Sequence, residues 1–202
     1  MLPSHITYDV TVARWEPNTR ERLVRAAVEA FAEQGYDATT VSEIAERAGG
    51  LSRMTFFRHF ADKREVLFAG QEKMGQLLAE AVAAAPSAAT PLEAVAEGLD
   101  ALAALHPNDR REFAVRLQAV IVAHAELLER AAFKRFALTE AMTAALEKRG
   151  VPDPAAGLAA ELGIRAFYRA YGQWAGSAGE QTLTDFTRRS LDELRAASAT
   201  LG

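Results

Sequence analysis

Between Thr40 and Glu65 the chain reads TVSEIAERAGGLSRMTFFRHFADKRE, and those 26 residues carry three helix-start signals and a glycine break. Thr40 followed three residues later by Glu43 is a capping box: the hydroxyl accepts from a free backbone N–H, and the carboxylate reaches back to the Thr40 amide. Asp62 and Glu65 repeat the spacing. Ser52, between them, is of the type whose side-chain oxygen satisfies the orphan N–H groups of a first helical turn. Behind Thr40, the residues Val41, Ile44, Ala45 and Ala48 fall at i, i+3, i+4 and i+7, one apolar face of a short helix. Gly49 and Gly50 end it, because glycine takes the left-handed conformation that a helix stop requires. Punctuation this dense leaves room for a helix, a tight turn and a second helix, and for little else.

The second helix has an asymmetric surface. From Ser52 to Arg64 there are four cations, Arg53, Arg58, Lys63 and Arg64, against one acid, Asp62, with His59 able to add charge. Phe56 and Phe60, four apart, anchor one side and leave Arg53, Met54, Phe57 and Arg58 toward the outside. Such a helix suits a DNA major groove: Arg can bond guanine O6 and N7 in bidentate fashion, Thr55 can reach base edges or phosphate, and Met54 or Phe57 can touch a thymine methyl.

These residues carry a family resemblance. T-x-x-E-I-A-x-x-A-G followed by S-R-M-T-F-F-R-H-F-x-x-K-x-x-x-L, within residues 20 to 69, resembles the N-terminal DNA-binding domain of TetR-family transcriptional regulators. The resemblance implies that Thr40 contacts phosphate at the start of the second helix. It places Arg53, Met54 and Thr55 at base-reading or groove-facing positions and Phe57, His59 and Lys63 on the sugar-phosphate backbone, with Ser42, Ser52 and Arg58 as further candidate DNA contacts. Two departures stand out. Phe57 occupies a position commonly Tyr, so its contact there is apolar, and the turn Ala48-Gly49-Gly50-Leu51-Ser52 is one residue longer than the family's usual A-G-V-S.

Whole-chain properties agree with that reading. The 202 residues are 50% hydrophobic, enough for one large domain or two modest ones. With no cysteine there are no disulfides or thiolate metal sites. No window approaches a membrane span and the N-terminus lacks a signal-peptide pattern, so the cytoplasm is expected. The net charge of −4 does not oppose DNA binding, because the positive residues concentrate where the groove helix lies.

The expected fold is all-α: an arm at 1 to 17, a three-helix DNA-binding domain at 18 to 67, and a larger helical domain at 68 to 202. Asn18 with Glu21 marks the start of the first helix, which carries Leu23, Ala27 and Phe31 inward and stops at Gly35. After Asp62 the helical pattern runs on through Val66, Leu67, Met74 and Leu78. Further helices are expected at about 91 to 105, 109 to 149 with an interruption near His124, 154 to 177 and 182 to 199. Pro, Gly and Asn/Asp clusters mark the stops.

Two tasks fall to this second half. The family's final two helices pair with those of a second subunit, which points to a homodimer interface at Leu162, Ala166, Phe167, Ala170, Tyr171, Trp174, Phe186, Leu191 and Leu194. A dimer reads two half-sites of a palindromic operator, with recognition helices about 34 to 36 Å apart. The middle helices combine apolar walls with sparse polar groups, as a small-molecule pocket does. The candidates are Phe113, Arg116, Leu117, Val120, His124, Phe133, Phe136, Arg165 and Tyr168, for an apolar effector that a looser likeness suggests is acyl-CoA-like. Arg116 is the first choice for an anionic group, and Arg165 the next.

The expected function is thus a ligand-released repressor. The alternatives are an activator, or a helical binding or interaction module that never represses. No catalytic motif, cofactor fingerprint or metal-ligand spacing is present, so no catalytic residue, cofactor or metal is expected. Arg14, in the N-terminal arm, is a weak candidate for the minor groove.

Overall fold

The computed structural model describes residues 19–201. The arm with Arg14, and the Asn18 cap, lie outside the described residues. The described chain is all-helical, with no strand. The helices are α1 Thr19–Gln34, α2 Val41–Arg47, α3 Arg53–His59, α4 Gln71–Ala84, α5 Pro91–Ala103, α6 Arg111–Val122, α7 Ala125–Lys148, α8 Ala155–Ala175 and α9 Leu183–Ser198. Short 3-10 turns precede α4, at Glu65–Phe68, and α6, at Asn108–Arg110.

Local chemistry sets most of these ends. Gly35, at φ +89°, stops α1 and donates to the Phe31 carbonyl. Capping boxes open α2 (Thr40 with Glu43), α5 (Thr90 with Glu93) and α9 (Thr182 with Asp185). α6 and α7 are separated by a break at His124, whose extended backbone interrupts the helical path.

The stretch after Asp62 departs from expectation. Asp62 Oδ1 accepts from the Arg64 and Glu65 amides at 2.8 and 3.0 Å, but Glu65 does not reach back. Its carboxylate is taken by Arg130 and Lys134 of α7, so one half of the box is missing. The helix does not run on either. It closes as a 3-10 turn, and Gly70, at φ +90°, redirects the chain before α4 begins.

Two hydrophobic cores result. The first holds Leu23, Ala27, Val28, Phe31, Ile44, Phe56, Phe60 and Val66 to Phe68, and it is completed by Val120 of α6 and Leu127 of α7. It therefore runs across the boundary expected after residue 67. The second gathers α4, α5, α7, α8 and α9 around Leu99, Met142, Ile164, Phe167 and Trp174. Gly163 lets α5 and α8 approach: a Cβ there would stand 2.4 Å from Val95 Cγ1.

Candidate nucleic-acid interface and internal cavity

α2 and α3 are held by bonds that begin with the Thr40 cap. The Glu43 amide donates to Thr40 Oγ1 at 3.2 Å, and the Thr40 amide donates to Glu43 Oε2 at 2.7 Å. At the other end both extra-turn glycines are left-handed, Gly49 at φ +100° and Gly50 at +71°. Their amides converge on the Glu46 carbonyl at 3.0 and 2.8 Å, and the Leu51 amide reaches Ala45 O at 2.9 Å. The additional residue is thus absorbed within a bonded turn. Glycine can adopt both angles without the Cβ clash another residue would meet.

Ser52 caps α3 by accepting from the Thr55 amide at 3.0 Å, and its hydroxyl also pairs with Thr55 Oγ1 at 3.0 Å. Phe56 is fully buried and Phe60 nearly so, with ring centroids 5.3 Å apart. That fixes the outward face. Met54 is 78% exposed and Phe57 43% exposed, Arg53 and Arg58 are exposed, and the Arg53 guanidinium lies 5.4 Å from the Phe57 ring centroid. Ser42 stands exposed in the first turn of α2.

Two of the expected backbone clamps sit differently. His59 is half-buried, and burial, followed by the repulsion of Arg58 and Arg20, holds its imidazole below the ordinary histidine value. At neutral pH it is a polar group and adds no charge to the patch. Lys63 turns inward: its ammonium donates to the carbonyls of Tyr36 at 2.7 Å and Thr39 at 3.1 Å, 4.1 Å from the Tyr36 ring centroid. Of its three donors, two thus go to protein backbone. In this geometry Lys63 fixes the loop that delivers Thr40. The sequence reading also missed Thr39, a buried residue whose hydroxyl donates to Gly35 O at 2.8 Å in the same loop.

Between the helices that follow lies a cavity of about 630 Å³. Of the expected pocket residues, Leu117, Phe136 and Tyr168 line it. The others do not. Val120 belongs to the first core, and His124 packs 5.3 Å from the Tyr36 ring with Nδ1 3.2 Å from Val120 O. Phe113 and Arg116 line a separate space of about 400 Å³ against α1, where Arg116 pairs with Glu112. Phe133 is exposed and lines a groove between α4 and α7, and Arg165 is exposed on α8. Helical spacing identified faces with the right composition, but it could not say which of several neighbours each face meets.

Lining residues missed in the sequence include Phe68, Gln71, His106, Lys134 and Arg135. His106 is largely buried, with Nδ1 3.0 Å from Leu102 O and its ring 5.3 Å from Tyr171. Burial lowers its titration, and burial pushes the Tyr171 phenol up to about 12. The aromatic wall is therefore uncharged at neutral pH.

Most of the expected subunit contacts pack within the chain itself. Ala166, Phe167, Ala170, Trp174, Phe186 and Leu191 are buried in the chain's own second core, and Phe167 and Tyr171 line the cavity. Trp174 is anchored further by its Nε1 donating to Asn108 Oδ1 at 2.9 Å. Only Leu162, Tyr171 and Leu194 keep partial exposure. α8 and α9 bury this apolar stripe against each other and against α5.

Residues 23–69 match the model for bacterial regulatory proteins of the tetR family. Over 77 residues the chain is 42% identical to the HTH-type transcriptional regulator TcmR of Streptomyces glaucescens, a stretch covering 38% of this chain and 34% of that one. The match thus spans about a third of that curated relative's length. Among solved structures, a TetR-like transcriptional regulator from Rhodococcus sp. RHA1 has TM-score 0.54 at 19% identity, with 90% of this chain and 96% of that one covered. The transcriptional regulator FadR from Bacillus subtilis, solved in complex with stearoyl-CoA, has TM-score 0.58 at 23% identity, with 86% and 96% covered. Both share the all-helical fold. No helix among the described residues is long and apolar enough to cross a membrane.

Proposed function

We infer that this chain is a regulator of the tetR type, an effector-responsive repressor that binds a palindromic operator as a homodimer; the match of residues 23–69 to the model for bacterial regulatory proteins of the tetR family supports this. The observation that carries the reading is the outward face of α3. A short helix is pinned from behind by Phe56 and Phe60 and presents Arg53, Met54, Phe57 and Arg58 to solvent. Arg53 and Thr55 then read base edges, Met54 and Phe57 contribute apolar contacts, and Thr40, Ser42, Ser52, Arg58 and His59 hold the backbone. Lys63 supports that set by fixing the Thr39–Thr40 loop.

A reading helix of seven residues touches few base pairs, so specificity requires two copies. The second copy docks on what α8 and α9 leave exposed, including Leu158 at 68% exposure and the partly exposed Leu162 and Leu194. The effector occupies the cavity formed by α4, α6, α7 and α8, where apolar walls supply affinity. The stearoyl-CoA bound by the structurally similar FadR supports a largely apolar occupant. Its binding changes the spacing of the two α3 helices and releases the operator, with a coupling of about 1 to 3 kcal/mol at most in ordinary cases.

A gel-shift titration of the purified protein against DNA upstream of its own gene tests this. Retardation that weakens steeply with salt is expected. Arg53→Ala should flatten discrimination among operator variants by about 1 to 3 kcal/mol, whereas Lys63→Ala should weaken all sequences alike. If the wild-type protein retards nothing at low salt, the reading loses its support.

A further inference from the structure

Glu65 sits in the turn that leaves the DNA-binding helices, yet its carboxylate is bound to α7. Arg130 Nε donates to Oε1 at 2.5 Å and Lys134 Nζ to Oε2 at 3.0 Å. The three side chains are 19%, 29% and 19% exposed for Glu65, Arg130 and Lys134, so solvent screens these bonds only in part. Burial works to raise the Glu65 titration, and the bonds from Arg130 and Lys134 outweigh it, so the carboxyl is held below its ordinary value. Lys134 also lines the cavity, together with Leu67, Phe68, Ala69 and Gln71, the residues that follow Glu65 in the chain. The lysine that holds Glu65 and the segment that Glu65 anchors thus share one cavity wall.

The charge at this end of the cavity is in positive excess. One carboxylate serves two cations, and Arg135, the next cavity residue, spreads its guanidinium 5.4 Å from the Tyr168 ring centroid. Among the described residues, the one acid lining the cavity, Glu161, is exposed on α8, where water attenuates its field. Away from these cations the lining is aromatic and apolar, with Phe136, Phe167 and Tyr171. A cationic end joined to an aromatic wall fits a molecule with a negative head and an apolar body.

We infer that the cavity takes an amphiphile with an anionic head, and that the head competes with Glu65 for Lys134, loosening the turn that ties the DNA-binding helices to α7. This rests on the effector-cavity reading above. Glu65 is left with Arg130 alone once Lys134 turns to the ligand. The Glu65–Phe68 turn and the Gly70 bend, which begin the path from α3 to α4, are then free to shift.

Calorimetric titration of the full-length protein with decanoate and with 1-decanol, which share a chain and differ in the head, tests the inference. Decanoate should bind about tenfold more tightly, the scale of one partly buried charge-assisted hydrogen bond. Lys134→Gln should erase that preference while retaining 1-decanol, which shows that the variant remains folded. Glu65→Gln separates competition from packing: it should tighten decanoate binding, because Lys134 is released, while weakening the operator complex. Equal binding of the two probes, no binding of decanoate, or a Glu65→Gln protein that binds decanoate no better than wild type overturns the inference. Unchanged operator affinity in Glu65→Gln overturns the link to DNA. A wild-type protein that prefers decanoate but retards no DNA refutes the regulator reading and leaves the head-group assignment standing.

Discussion

The two cores are built from different materials. Around α1 to α3 a small number of large rings, Phe31, Tyr36, Phe56 and Phe60, fill the interior between short helices. The second core relies on alanine, with Ala94, Ala103, Ala145, Ala156, Ala160, Ala166 and Ala170 lining long helices that approach closely, and with Trp174 as its largest buried side chain. Large rings concentrate burial in few positions, whereas small residues distribute it along whole interfaces. The α1–α3 end should thus be sensitive to single substitutions and should depend on the helices behind it, while the other end degrades gradually.

The sharpest test of that contrast is Phe56→Ala, which should cost about 3 to 5 kcal/mol. Denaturant unfolding should show an early transition of α1 to α3 with the α8–α9 signal retained. A loss below about 1 kcal/mol would erase the distinction, since fully buried rings rarely cost so little. Leu127→Ala, on α7, should cost about 2 to 5 kcal/mol. Its signature is spatial: hydrogen-exchange protection should fall in α1 to α3. If protection falls only in α8 and α9, the borrowed-core description fails.

Gly50→Ala should cost roughly 1 to 2 kcal/mol from its left-handed backbone alone, because nothing lies within 4 Å of an added Cβ. A neutral result in a thermal melt would mean that the turn relaxes to another conformation. The smallest effect concerns acid. Because the folded Glu65 titrates below its unfolded value, its ion pairs stabilise fully above the ordinary glutamate range and are lost as pH falls through the lowered value. Between pH 6 and pH 3, the wild type should therefore lose slightly more stability than Glu65→Gln; equal losses would detach this group from the acid response.

What could be read from the residues was local. The Thr40–Glu43 box, the Ser52 cap, the Phe56–Phe60 pair, the stop at Gly35 and the break at His124 each depend on partners within about one helical turn or on a single backbone angle. The inward bonds of Lys63 could not be read this way, because its partners, Tyr36 and Thr39, lie 27 and 24 residues upstream, beyond any periodic pattern. Glu65 likewise satisfied a capping spacing, and its real partners are 65 and 69 residues away. Val120, Phe167 and Trp174 show the same limit on the apolar side. Spacing marks a face as buried, while the topology decides whether that face meets the first core, the cavity or the second core.

The contribution of Val120 and Leu127 to the first core has a practical consequence for exchanging N-terminal helices between chains of this fold. A chimera cut near residue 69, where the family match ends, transplants α1 to α3 without the two side chains that seal them. The recipient's own α6 and α7 must offer a matching shape, or the graft opens a hole beneath α1. Swaps carrying Val120 and Leu127 with α1 to α3, as a second graft from the same donor, would transfer the α3 surface together with its floor.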